Sequence, residues 1–148
     1  VKSVNMYYIK IIMKNTIFKL LECLYYFSLV SLFILYLFPG SLIGYYLYGN
    51  LGKQPDLIPN PIGTSINHLI SFICLSSLAF ITRVRVRKFI NSFQFLFFTS
   101  ILLEILHYFI PNRAFEYYDL FANLAGVIIA YFFIQLILKI TIKKYENI

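Results

Sequence analysis

Six polar side chains fall within or beside apolar runs of this sequence, where polar groups are costly: His68, Glu104, His107, Arg113, Asp119 and Asn123. An ionisable group in a lipid-embedded helix costs about 2.5 to 3.5 kcal/mol on the insertion scale, so its placement carries information. Glu104 and His107 are spaced i, i+3 and share one helical face; Asp119, Asn123 and Gly126 are spaced i, i+4, i+7 and share another. A carboxylate beside an imidazole can act as a general base, and the planar fork of Arg113 can grip a phosphate or carboxylate. Glu104-x-x-His107 is also the spacing of metal-ligating pairs on bundle helices, and His68 and Asp119 would complete a four-ligand set. A lone motif of that kind is weak evidence, so no resident metal and no cofactor is expected. The same residues also admit a purely structural reading. Arg113 would pair with Glu116 or Asp119, Asp119 would complement the dipole at a helix start, and Asn123 would bond across helices. Ser65 precedes His68 by three residues, but no nucleophile motif of the G-x-S-x-G kind is present.

The elements that must position these groups follow from composition. Of 148 residues, 60% are hydrophobic and only 13% charged, with a mean hydropathy of +0.77. A soluble domain carries about 25% charged residues, so the apolar excess must face lipid. The basic residues behind the +7 net charge are scattered between apolar runs instead of gathered on one face, which excludes nucleic acid as a partner. A crossing needs about 20 apolar residues. The runs 17–38, 66–82, 89–110 and 120–140 predict an all-α integral membrane bundle of four transmembrane helices; the second is the shortest. They show no sustained period-two alternation and are too long for barrel strands.

Pro39 and Gly40 end the first span, Pro111 closes the third, and residues 49–63 hold three prolines and three glycines, the one substantial loop. Before the first span, Ile9, Ile12, Met13 and Ile17 face away from Lys10 and Lys14, predicting a cytoplasmic interfacial segment over 1–16 ahead of the membrane domain over 17–148. The first apolar run is too long for a typical signal-peptide core, and no small-residue cleavage site follows it, so no cleavable signal is expected. All but Lys53 and Arg113 of the 13 Lys and Arg fall before or in the first turn of the first span, between the second and third, or at the end of the fourth and after it. That split places both termini and the Arg83–Lys88 loop in the cytoplasm, and the polar cluster at the outer face of a multi-pass cell-membrane protein. Tyr45, Tyr46, Tyr48, Tyr108, Tyr117 and Tyr118 then form an outer aromatic belt. Cys23 and Cys74 differ too much in depth to pair. Ala122, Gly126 and Ala130 recur every four residues, a stripe that lets a neighbouring helix approach closely.

The run Glu104, His107, Pro111, Arg113, Glu116, Asp119, Asn123, Gly126 resembles the signature of the VanZ-like family of small membrane proteins, E-x-x-Q, then Pro and Arg, then D-x-x-D-x-x-x-N-x-x-G. His68 resembles that family's histidine at the head of the second span, and Pro39-Gly40 its turn after the first. His107 stands where the family usually has Gln, Glu116 where it has Asp, and Thr64-Ser65 where an Asp-Lys pair precedes the histidine. The resemblance implies a bacterial cell-envelope protein linked to glycopeptide (teicoplanin-type) resistance, in a family with no established reaction. The expected partners are membrane lipid and a lipid-linked or peptidoglycan-related molecule. Two functional classes follow: an envelope factor that binds such a molecule, which is favoured, and an intramembrane enzyme using Glu104 or His68 as its base. Oligomeric state is not legible in the sequence.

Overall fold

Long apolar runs satisfy their backbone only as helices when water is absent, and every regular element among the described residues is helical. The structure is a computed structural model describing residues 2–55 and 65–146, with side chains from 15 to 55 and from 65 to 140. Its elements are α1 (Lys2–Leu37), α2 (Leu42–Tyr48), α3 (Ser65–Arg83), a 3-10 turn (Phe89–Asn91), α4 (Phe93–Leu106) and α5 (Tyr117–Glu146). α1 runs without a break through residue 16, so the predicted interfacial segment continues directly into the first apolar run. The apolar face at Ile9, Ile12 and Met13 falls on side chains outside the described residues, as do Pro59, Pro61 and Gly63 of the predicted loop.

Pro39 and Gly40 stop α1 as expected, Gly40 adopting φ +82. The chain then forms α2, an element not anticipated, because Ser41 is extended and its Oγ accepts from Gly44 N at 2.9 Å. Ser41 N donates to Leu51 O at 2.6 Å, folding residues 50–53 back over this turn. A side chain at Gly44 would collide with the Lys53 carbonyl, so the close approach requires glycine there.

Among the described residues three helices, not four, are long and apolar enough to cross a membrane: Asn15–Leu37, Ser65–Arg83 and Tyr117–Ile140. The predicted third span contains α4, an apolar helix of 14 residues, about 21 Å long at about 1.5 Å per residue. Both of its ends are cut by local chemistry. Asn91 Oδ1 accepts from Lys88 N at 3.0 Å, holding the 3-10 turn, and Ser92 is extended, its Oγ accepting from Phe95 N at 3.1 Å. At the far end His107, Tyr108 and Phe109 donate to Glu104, Ile105 and Leu106 in tighter i→i−3 bonds at 2.9–3.1 Å, well before Pro111.

The most extensive helix contact is between α3 and α5. Gly126 and Ala130 are buried in it; a Cβ built on Gly126 would lie 2.8 Å from both Leu69 O and Phe72 Cβ. Ala122, the third member of the stripe, is only half-buried. Phe72, Leu75, Leu96, Leu103 and Val127 fill the bundle centre, whereas Phe27, Phe98, Phe121, Phe132 and Phe133 project outward, as lipid-facing side chains do. Cys23 and Cys74 are free and exposed. At one end of the bundle the Arg-rich loop is tied to α1 by Lys88 Nζ to Glu22 Oε1 at 2.8 Å and Arg85 Nη2 to Asn15 Oδ1 at 2.5 Å. The polar cluster occupies the other end.

Candidate functional site

Four helix ends meet at the cluster. α1 brings Tyr36 from its last turn, α3 brings Ser65 and His68 from its first, α4 ends with Glu104 and His107, and α5 begins with Asp119 and Asn123. All are buried, and Glu104 and Asn123 have no exposure at all. Five of the six candidates predicted from sequence therefore converge, and the sixth, Arg113, lies in the turn above them.

Hydrogen-bond counting fixes how the network is wired. Asn123 Nδ2 donates to Glu104 Oε2 at 3.4 Å, because a carboxylate can only accept; Asn123 Oδ1 then accepts from the Tyr36 hydroxyl at 2.8 Å. With its single proton spent on Asn123, Tyr36 Oη must accept from His68 Nδ1, 2.9 Å away. The opposite nitrogen, His68 Nε2, faces Asp119 Oδ2 at 3.4 Å. A second histidine repeats the pattern. His107 Nε2 donates to the Tyr36 carbonyl at 3.2 Å, and its Nδ1 faces Glu104 Oε1 at 3.3 Å. Each histidine thus turns one ring nitrogen toward the Tyr36 hub and the other toward a carboxylate. Glu116 N adds a bond to Glu104 Oε1 at 3.1 Å, and Ser65 Oγ one to Asp119 Oδ1 at 2.5 Å.

Tyr36 is the hub of this network, and sequence reasoning missed it. Its hydroxyl serves His68 and Asn123, its carbonyl serves His107, and its ring stacks on His107 with centroids 5.7 Å apart and planes 25° apart. The available signal was a phenol near the end of an apolar run, where a buried hydroxyl needs a partner.

Arg113 does not pair with Glu116 or Asp119. Its Nη2 donates to Leu35 O at 2.7 Å and its Nε to Phe38 O at 3.4 Å, closing the carbonyl end of α1. Burial pulls its guanidinium below the ordinary value, against the attraction of Tyr36, Glu104 and Asp119. The Glu116 carboxyl is pushed above its ordinary value, first by desolvation and then by the charges of Asp119 and Glu104.

A polar cavity of about 310 Å³ opens beside these groups, lined by Gln54, His68, His107, Arg113, Glu116 and Asp119 among others. The His68–Asp119 pair therefore borders this cavity. Ser65 cannot act as a nucleophile activated by this histidine, since its hydroxyl bonds the carboxylate and not the imidazole. His68, Glu104 and Asp119 each bring one ligand atom within 4.8 Å of the others, the trio among the described residues that could hold a cation. In this arrangement His107 has both ring nitrogens committed, so the four-ligand set imagined from Glu104-x-x-His107 is not assembled.

No family model, no curated protein and no solved structure matches this chain.

Proposed function

We propose that this chain is a multi-pass protein of the bacterial cell membrane, VanZ-like in kind, that binds an envelope molecule at an outer-leaflet polar site and thereby contributes to glycopeptide resistance. In this reading both termini are cytoplasmic, as the distribution of Lys and Arg favours. The supporting observation is the His68–Asp119 pair bordering the polar cavity. A network serving only to hold helices together would be closed on itself, whereas this one presents a histidine–carboxylate pair to open space. Glu104, His107, Asn123 and Tyr36 orient that pair from behind.

A second reading, an intramembrane enzyme acting on a lipid-linked substrate, draws on the same pair: His68 Nε2 would take a proton from a substrate hydroxyl in the cavity, Asp119 stabilising the imidazolium. Binding is the simpler account, since no activated nucleophile accompanies the base.

The test is teicoplanin susceptibility of a bacterial host expressing the parent, Glu104→Gln or Asp119→Asn, with membrane insertion of each checked. Both variants are expected to insert at parental levels and lose protection. Full protection by both would overturn the binding reading and leave a structural network. Turnover of a lipid-linked substrate abolished by His68→Gln would favour the enzyme.

A further inference from the structure

The polar cavity is not closed at His68. Gln54, His68 and Arg113 line it and also line a larger, mainly apolar cavity of about 430 Å³ between the end of α1, α2 and the start of α3. That space shares Leu35, Tyr36 and Ser71 with a third, of about 240 Å³, which lies along the α1–α3 seam as far as Phe27 and Leu75. The three adjoin through shared walls in one row, polar at the end of the bundle and apolar along its side. From Tyr36 to Phe27 the helix covers about 14 Å at about 1.5 Å per residue. That is close to half of a hydrocarbon core about 30 Å thick. The row therefore has the depth of one leaflet, and Phe27, Ser71 and Cys74 along it are exposed, so it is open sideways.

Charge selects the polar end of the occupant. The polar cavity is lined by one guanidinium, Arg113, which caps α1 through Leu35 and Phe38, and by two carboxylates, Asp119 and Glu116. A phosphate would meet two carboxylates, Asp119 and Glu116, against the single cation Arg113; hydroxyls would find acceptors in both carboxylates and a donor in Gln54.

We propose that the cavity and groove together hold one membrane lipid, its uncharged, hydroxyl-bearing headgroup against His68, Asp119 and Gln54 and one hydrocarbon chain along the α1–α3 seam. The proposal rests on the envelope-ligand reading above and adds the ligand's class and its route of entry, sideways from the leaflet.

The probe is a monoglucosyl diacylglycerol with a diazirine in one acyl chain, mixed into phosphatidylcholine vesicles holding the full-length protein and illuminated. Labelling is expected on 27–35 and 70–75, competed by unlabelled glucolipid and much less by phosphatidate. Ser71→Trp, placed at an exposed position to fill the groove, should cut that labelling about tenfold, the change produced by about 1.4 kcal/mol of binding, with thermal stability unchanged. Labelling spread evenly over the outward faces of α5 and indifferent to Ser71→Trp would overturn the groove. Phosphatidate competing better than glucolipid would overturn the headgroup assignment. Soluble methyl glucoside competing as well as the whole lipid would overturn the role of the chain. If the groove fails while Glu104→Gln and Asp119→Asn still abolish protection against teicoplanin, the envelope-ligand reading survives it; if protection is also unaffected, both fall.

Discussion

The guanidinium of Arg113 bonds the carbonyl of Leu35 at 2.7 Å, so a turn far along the chain closes the end of the first helix. Arg113→Lys keeps the charge but loses the fork that reaches both Leu35 and Phe38. It should lower stability in detergent by about 1.5 to 3 kcal/mol, the range for a hydrogen bond involving a charged group. Arg113→Ala should cost more, since both carbonyls then lose a cationic partner at the negative end of α1. Thermal midpoints of the three proteins check this. A parental midpoint for both variants would mean that the arginine is not a helix cap.

The Tyr36 network predicts strong coupling. Tyr36→Phe removes one oxygen but strands two buried groups, His68 Nδ1–H and Asn123 Oδ1, and should cost about 1 to 3 kcal/mol for each group left unsatisfied. Asn123→Leu alone strands Glu104 Oε2 and the Tyr36 hydroxyl. The double variant should cost clearly less than the two singles together, because each removes a partner of the other. Simple additivity in a double-mutant cycle would dismantle the proposed wiring.

Much of this architecture was legible, and the parts that were not share a cause. Apolar runs declare helices because lipid leaves the backbone no alternative, and His68, Glu104 and Asp119 declare themselves because charge is conspicuous in such runs. The stripe at Gly126 was readable from spacing alone. Tyr36 was hidden because a phenol in an apolar run passes for packing. The partners of Arg113 were hidden because they are backbone carbonyls, which carry no sequence signal. α4 came out short because Ser92 and the tightened turn after Leu106 act residue by residue, below what a hydropathy window resolves.

Close packing of α3 on α5 makes a graded prediction. Gly126→Ala already places a Cβ 2.8 Å from Leu69 O and Phe72 Cβ, and neither backbone nor Cβ can swing aside. Overpacking of this kind costs about 1 to 3 kcal/mol, and Gly126→Leu should exceed that or prevent folding. Ala122→Leu, at a half-buried position, should be milder. Equal midpoints for Gly126→Ala and the parent would place the face against lipid.

Glu116 provides a pH dependence whose sign is fixed by its surroundings. Desolvation, reinforced by Asp119 and Glu104, disfavours its charged form, so the folded state holds this proton to a higher pH than the unfolded chain, whose carboxyl titrates near 4.5. Below 4.5 both states are protonated and Glu116 carries no penalty. As pH rises through 4.5 the unfolded state ionises first and gains; the penalty on the fold grows until the folded carboxyl also ionises, and is complete above that point. Glu116→Gln is neutral in both states and escapes it. The variant's thermal midpoint relative to the parent should therefore climb as pH increases from acid to neutral and then level off. A difference that stays constant would mean that the carboxyl titrates alike in the folded and unfolded chain, and one that shrinks with rising pH that its charged form is better stabilised in the folded protein; either would show that Asp119 and Glu104 exert no net repulsion on it.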